Sequence, residues 1–268
     1  MKYNFVFVVL IYRNYVDLEE LISSIKDKVK SYKCVVVDAF YDRPTSDAIK
    51  KICDQCDADY IEIENKGYSY GNNVGIKYAL DNYDFDYVVV SNPDILVKKL
   101  PFDIVSLYKD SVIGPKVINV RGKNQNPMYY SFSKYANKKI YKGLKENKKV
   151  VFYHGVLLNK FRKNVRSLFT FFKKRQKVFQ LHGSFIIFPR SVVSKIFPVF
   201  DENMFLFGEE SYLAIVLKGA GIDSIYDKRL YVKHKEDGSM SFRNDINVFL
   251  RESNIYVYEK YYGFSDNK

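Results

Sequence analysis

Apolar residues follow two rhythms over the first 118 positions. FVFVVLIY (5–12), CVVVD (34–38), DYIEIE (59–64) and FDYVVVS (85–91) are short runs rich in β-branched and aromatic residues, each bounded by polar turn formers. They read as strands. Between them, Leu18, Leu21, Ile22, Ile25 and Val29 recur at helical spacing, and DAIKKICDQC suggests a short helix. Asn72 or Asn73 is placed to cap a helix reaching about Leu80, and PFDIVSLY (101–108) reads as a helix with Pro near its start. Strand alternating with helix predicts a parallel α/β sheet, and apolar runs without polar alternation fit strands covered on both faces.

In an open parallel sheet, ligands bind beyond the carboxyl ends of the strands. Four such ends are polar: Tyr12-Arg13-Asn14, Asp38, Glu64-Asn65-Lys66-Gly67 and Ser91-Asn92-Pro93-Asp94. Pro93 pushes Asn92 away from helical angles, so Asp94 is carried just past the sheet edge. Asn-Pro-Asp is equally good turn chemistry, and the residues alone leave the two readings level.

After Val120 the rhythm changes. Residues 121–150 are polar, basic and irregular in pattern. HGSFIIFPR (182–190) reads as a strand, GEESYLAIVLKGAG (208–221) as a helix closed by glycine, SIYDKRLYVKHK (224–235) as strand pieces and NDINVFLRESNIYVYEKYY as a helix. No internal repeat marks a boundary, so a single domain over 1–268 is expected.

Composition narrows the class. With 47% hydrophobic and 28% charged residues, the chain has the balance of a soluble globular protein. Its longest apolar run, Phe5 to Tyr12, falls far short of the ~20 residues that span a bilayer, and the N-terminal run reads as a first strand rather than a leader. Three cysteines point to a reducing compartment. Cys53 and Cys56 have metal or redox spacing but no second pair, so they read as incidental thiols near a helix end.

The net charge of +12 is concentrated. Residues 134–178 hold fifteen Lys/Arg against the one acid Glu146, a local +14 that leaves −2 for the remainder. On a helix over 160–179, Phe161, Val165, Leu168, Phe169, Phe172 and Phe179 share one face, with Arg162, Lys163, Arg166, Lys173, Lys174 and Lys177 on the other side. That pattern predicts a helix lying on an anionic membrane surface. Phosphate binding to nucleic acid would use the same cations, but no nucleic-acid motif accompanies them.

Five stretches, NKGYSYGNNVGI, VVVSNPDI, HGSFIIFPR, FDENMFLFGEESYL and YVKHKEDGS, occur in this order. Together they resemble family 2 glycosyltransferases, most closely the rhamnosyltransferase-like members that build bacterial surface polysaccharides. The resemblance runs from about residue 4 to 260. It implies a glycosyltransferase-A fold, Rossmann-like, with a mostly parallel central sheet and a C-terminal helical elaboration. It also implies an inverting transfer from a UDP- or dTDP-sugar to an oligosaccharide or lipid-linked acceptor, assisted by Mg²⁺ or Mn²⁺. The protein would then work in the cytoplasm, peripheral at the inner face of the plasma membrane. On this reading 1–120 is the nucleotide-sugar half, 121–180 a basic insertion on the acceptor and membrane side, and 181–268 the catalytic and acceptor half.

Residue by residue, the resemblance puts Asp94 at the metal, with Asn92 in place of the first acid of an Asp-x-Asp motif, and His234 as a further ligand. A hard cation of this kind needs only one or two protein carboxylates when a diphosphate completes its shell. Tyr12, Asp38, Asn72, Asn73, Asn92 and Asp94 fall with the donor contacts. Glu210 falls on the base position, with Glu209 beside it; a base is needed to take the proton of the attacking hydroxyl. Arg13, Asn92, Tyr212 and the use of Glu rather than Asp at 210 depart from the family pattern. These departures keep open a second reading, a catalytically inactive relative or a binding protein acting through the basic segment.

Overall fold

The computed structural model describes residues 2–236 and 246–265. Asp237, Gly238 and Ser239 of the last motif, and Asn244 and Asp245 of the tail, lie outside the described residues.

The first half builds four parallel strands: β1 (Lys2–Ile11), β2 (Tyr32–Ala39), β3 (Asp59–Ile63) and β4 (Asp84–Ser91). They lie in the order β3-β2-β1-β4, joined by the helices α1 (Val16–Lys28), α2 (Arg43–Cys56) and α3 (Tyr68–Asn82). The sheet continues as a mixed one. Strand β5 (Ile95–Lys99) leads through the short α4 (Phe102–Val105) to β6 (Ser111–Asn119). Strands β7 (Arg175–Val178), β8 (Phe185–Pro189) and β9 (Asp223–His234) complete it. Strand β8 runs antiparallel to both β4 and β6, β6 runs parallel to β9, and β5 and β7 are antiparallel to β9. Helices α5 (Lys134–Lys145), α6 (Lys149–Phe169), α7 (Arg190–Ile196), α8 (Glu209–Gly219) and α9 (Ile246–Lys260) follow in chain order. The expected α/β sheet is present.

Successive residues of β1 face opposite ways and are buried on both sides. Phe5, Phe7 and Val9 pack with Leu18 and Leu21 of α1 and Ile49 of α2. Val6 and Val8 pack with Ile76 of α3, Val192 of α7 and Leu213 of α8. This two-sided cover explains the unbroken apolar runs. Cys53 joins the first of these layers, and burial pushes its thiol up to about 12.

Four sequence expectations are corrected. The helix expected over 160–179 is α6, which begins at Lys149 and ends at Phe169. Residues 175–178 instead pair with β9. Just beyond the helix end, Lys228 donates to the carbonyls of Thr170 (3.3 Å) and Phe171 (2.7 Å). Phe179 therefore leaves the helical face, and its ring packs on Phe132. Second, the segment 121–150 is not irregular throughout. Ser133 caps α5 at the Ala136 amide, and Ala136, Ile140, Tyr141 and Leu144 form its buried face. Third, Asn72 and Asn73 do not cap α3, which starts at Tyr68 with Gly67 before it. Fourth, the helix read over 101–108 is the single turn of α4, because the chain turns at once into β6.

Candidate functional site

Parallel pairing brings the carboxyl ends of β1 to β4 to one edge: Ile11 pairs with Asp38, Asp38 with Glu62, and Val9 with Ser91. A cavity of about 590 Å³ opens there, within the range of ligand pockets. Tyr12, Asn92, Pro93, Asp94, Glu209, Glu210 and His234 all line it. Seven positions scattered from 12 to 234 in the chain therefore share one wall.

Asp94 ends the turn Pro93-Asp94 that leads straight into β5, so the two readings of Asn-Pro-Asp coexist. Asn92 is tied by its amide to the Ser184 carbonyl at 2.9 Å, continuing the β4–β8 pairing. Next to Asp94, Ile95 pairs with His234, and the Lys235 amide donates to the Asp94 carbonyl at 3.0 Å. The sheet thus fixes Asp94 and His234 side by side, with Asp94 Oδ2 and His234 Nε2 3.3 Å apart.

On the other side of the ring, His234 Nδ1 donates to Gln125 Oε1 at 2.8 Å. An amide oxygen only accepts, so Nδ1 carries a proton and Nε2 is the nitrogen turned toward Asp94. A carboxylate and an imidazole nitrogen so arranged fit a divalent cation. Adjacent ligands in an octahedral shell with bonds of ~2.1 Å lie roughly 3 Å apart. Among the described residues no group of three or more His, Cys, Asp or Glu gathers to hold a metal alone. Further ligands would have to come from water or a bound phosphate.

The acids stand at the start of α8. Glu209 is 5% exposed, whereas Glu210 is partly open to the cavity. Glu210 Oε1 accepts the Gly183 amide at 3.2 Å, and Glu209 Oε1 is buried with no protein partner. Burial raises both carboxyls, and the charge of Glu210 raises Glu209 further. Tyr68, buried beside the two acids, donates to the Gly183 carbonyl at 3.1 Å and is itself held strongly protonated by burial and their charge. Gly67 makes this approach possible. Its φ is +98°, and a Cβ there would run into the Phe205 backbone that accepts the Tyr68 amide.

The remaining expected residues lie elsewhere. Asp38 is buried below the edge, where it accepts from Tyr60 Oη at 2.8 Å; its Oδ1 has no partner, and burial raises it. Ala39, not Asp38, reaches the cavity wall. Asn72 donates to the Tyr68 carbonyl one turn back. Asn73 donates to the Phe200 carbonyl (2.8 Å) and accepts its amide (3.1 Å), which locks α3 to the loop before α8. Tyr212 stacks edge-on against Tyr261 of the segment after α9, so its ring serves packing.

Gln125 and His182 were not foreseen. Gln125 sits in the polar stretch after β6, where no periodicity marks it. His182 accepts from the Ser184 amide at Nδ1 and is pushed down to about 3 by burial, His234 and Lys163. Lys163 turns inward from the basic segment to donate to the Gln125 carbonyl at 3.2 Å, and burial lowers it.

No protein-family model matches the chain. Over 129 residues it is 33% identical to the low-salt glycan biosynthesis hexosyltransferase Agl10 of Haloferax volcanii, covering 45% of this chain and 39% of that protein. Its fold is similar to GalNAc-T7 in a crystal structure with UDP, GalNAc and Mn²⁺, with a TM-score of 0.59 and 11% identity. That match covers 88% of this chain and 45% of GalNAc-T7. S. aureus TarS gives a TM-score of 0.53 at 14% identity, over 95% of this chain and 39% of TarS. The chain thus spans less than half the length of each of these proteins, and the two structural likenesses establish a shared glycosyltransferase-A type fold.

Proposed function

We propose that this chain is a glycosyltransferase that moves a hexosyl group from a UDP- or dTDP-sugar to a glycan acceptor. The observation that carries the reading is one cavity at the strand ends with Asp94 and His234 paired on one part of its wall and the buried acids Glu209 and Glu210 on another. The partial identity to a hexosyltransferase supports it.

A divalent Mg²⁺ or Mn²⁺ held by Asp94 and His234 would neutralise the diphosphate of the departing nucleotide. Glu210 is the base. Its second oxygen takes the proton of the acceptor hydroxyl as that oxygen bonds the anomeric carbon, and the bond from that carbon to the diphosphate oxygen breaks. Direct displacement of this kind inverts the anomeric centre. Glu209, buried next to Glu210 with its Oε1 unpartnered, stands beside the base at the cavity wall. Gly183 fixes Glu210 through its amide while Tyr68 fixes Gly183.

The basic segment supports attachment to an anionic membrane surface. Among the described residues no helix is long and apolar enough to cross a membrane. The outer face of α6 nevertheless exposes Val150, Leu157, Phe161 and Leu168, and Phe172 beyond it is 94% exposed.

The test is turnover of UDP- and dTDP-sugars with Mn²⁺ or Mg²⁺, repeated with EDTA, with Asp94→Ala and with Glu210→Gln. Metal-dependent nucleotide release that both variants lose is the expected result. Absence of any donor binding by calorimetry in the presence of metal would overturn the reading.

A further inference from the structure

The cavity also runs along the helices that follow β6. One side of it is lined by Ile140 and Leu144 of α5, Phe152 and Val156 of α6, and Leu250 and Tyr258 of α9. The one polar group among these six side chains, the Tyr258 hydroxyl, is already donated to Asn137 Oδ1 at 2.9 Å. A sugar seated here would give up its hydrogen bonds to water and meet only the Asn254 side chain of α9, whose Nδ2 is already donated to the Leu250 carbonyl at 2.7 Å, an unfavourable trade for most hydroxyls. Hydrocarbon seated here forfeits no hydrogen bond and gains in proportion to the area it removes from water.

The space is not slack between loosely packed helices. Helices α5 and α6 touch at glycines: a Cβ on Gly143 would collide with the Phe152 backbone nitrogen, and one on Gly155 would lie 2.6 Å from the Ala136 carbonyl oxygen. Helix α9 is braced to α5 by polar contacts at its edges. Tyr141 Oη and Lys145 Nζ reach Glu259 at 2.9 and 2.7 Å, and Arg251 Nε donates to the Leu144 carbonyl at 2.8 Å. A frame held this firmly along the apolar side of the cavity, its six side chains packed in one cluster, is a built binding surface.

Helix α6 has two roles in this frame. Its inner face supplies Phe152 and Val156, while its outer face exposes the apolar row described above, with Lys160 and Arg162 exposed to either side. An apolar wall and a basic, apolar outer surface on one helix match a ligand that arrives from an anionic bilayer. We propose that this side of the cavity holds the hydrocarbon chain of an amphipathic acceptor, whose hydroxyl-bearing head reaches Glu210. The inference rests on the transferase reading for the ligand's role, but not for the existence of the hydrocarbon site.

The chain contains no tryptophan, so Phe152→Trp supplies a single reporter in the site. Farnesyl phosphate, titrated below its micellar concentration, should give a saturable blue shift at least tenfold tighter than butyl phosphate. Adding Val156→Phe or Leu144→Phe, which fill the space, should weaken it at least tenfold. Equal affinities for the two phosphates would mean that only the headgroup is bound, and would overturn the proposal. So would a signal that survives filling but vanishes when Lys160, Arg162 and Arg166 are changed to Gln, because the chain would then lie on the outer face. Leu250→Trp gives a second reporter from α9 should Phe152→Trp fail to fold.

UDP titrated with Mn²⁺ into the same variants separates the two ideas. UDP binding without farnesyl binding removes this inference and leaves the transferase reading standing. Farnesyl binding with neither UDP nor dTDP bound removes that reading and keeps the hydrocarbon site.

Discussion

Gln125 holds His234 from behind: its Oε1 accepts from Nδ1 at 2.8 Å, and this bond fixes both the tautomer and the tilt of the ring whose Nε2 faces Asp94. A partner of this kind typically sets 10- to 100-fold in metal affinity. Gln125→Ala should lower Mn²⁺ affinity in the presence of UDP by about tenfold or more, and Gln125→Glu, which keeps an acceptor, should recover most of it. Paramagnetic resonance of free Mn²⁺ reads the effect directly. Equal affinity in all three proteins would exclude this role.

Glu209 and Glu210 are raised above the ordinary carboxylate range by burial. The native state then holds protons that the unfolded chain has released, so stability falls as pH rises from the unfolded value of about 4.3 through the raised folded value. Glu209→Gln should therefore stabilise the protein at pH 8 by at least about 1.4 kcal/mol, a tenfold gain in the folding equilibrium, and should gain nothing at pH 4. Urea unfolding at the two pH values tests this. A base must be deprotonated, so the acid limb of turnover should lie above the usual carboxylate range.

Asp201 behaves oppositely. It accepts from Tyr256 (2.8 Å), from the Asn203 amide (3.0 Å) and from Tyr261, and pairs with Lys260 at 3.2 Å. Although burial opposes ionisation, these donors together hold its carboxyl well below the ordinary range. Its stabilisation is present above the unfolded value of about 3.9 and is lost as pH falls through the folded one. Asp201→Asn should cost roughly 1–3 kcal/mol at pH 7 and progressively less in acid, measured by thermal unfolding from pH 7 to pH 3.

Gly155 leaves no room for a side chain, because the Ala136 carbonyl oxygen is backbone and cannot swing aside. Gly155→Val should separate α5 from α6 at a cost of roughly 1–3 kcal/mol. Since α5 also carries Ile140 and Leu144, the same variant should weaken farnesyl phosphate binding. Denaturant midpoints and the tryptophan titration together check both effects.

Membrane attachment through α6 should depend on charge and on salt. Changing Lys160, Arg162, Arg166, Lys173 and Lys174 to Gln removes cations that each contribute about 1 kcal/mol near an anionic leaflet. If half of them engage, binding to vesicles containing phosphatidylserine should fall by on the order of a hundredfold, whereas Lys163→Gln should matter less because Lys163 faces inward to Gln125. Equal flotation of wild type and the fivefold variant would refute the attachment.

The sequence by itself determined the alternation of strands and helices in the first half, because each element there carries its own period and its own boundary residues. Val88–Val90 followed by Asn-Pro-Asp located both the end of β4 and the residue at the sheet edge. The motifs also marked Asp94, Glu209, Glu210 and His234, which the fold brings to one cavity. Local pattern was weaker after Val120. There it hid α5, whose buried face alternates with five lysines, and it ran α6 too far, because residues 175–178 are drawn into pairing with the distant strand β9. Asn72 and Asn73 looked like caps because their side chains suit one; α3 begins earlier because Gly67 lets the backbone meet Phe205.

Only the tertiary structure decided how these pieces meet. The pairing of β5 with β9 sets Asp94 against His234, the loop after β6 delivers Gln125 behind it, and three helices close around an apolar space. None of these leaves a local signature, since residues far apart in the chain become neighbours only when the sheet and the helices bury their apolar faces together.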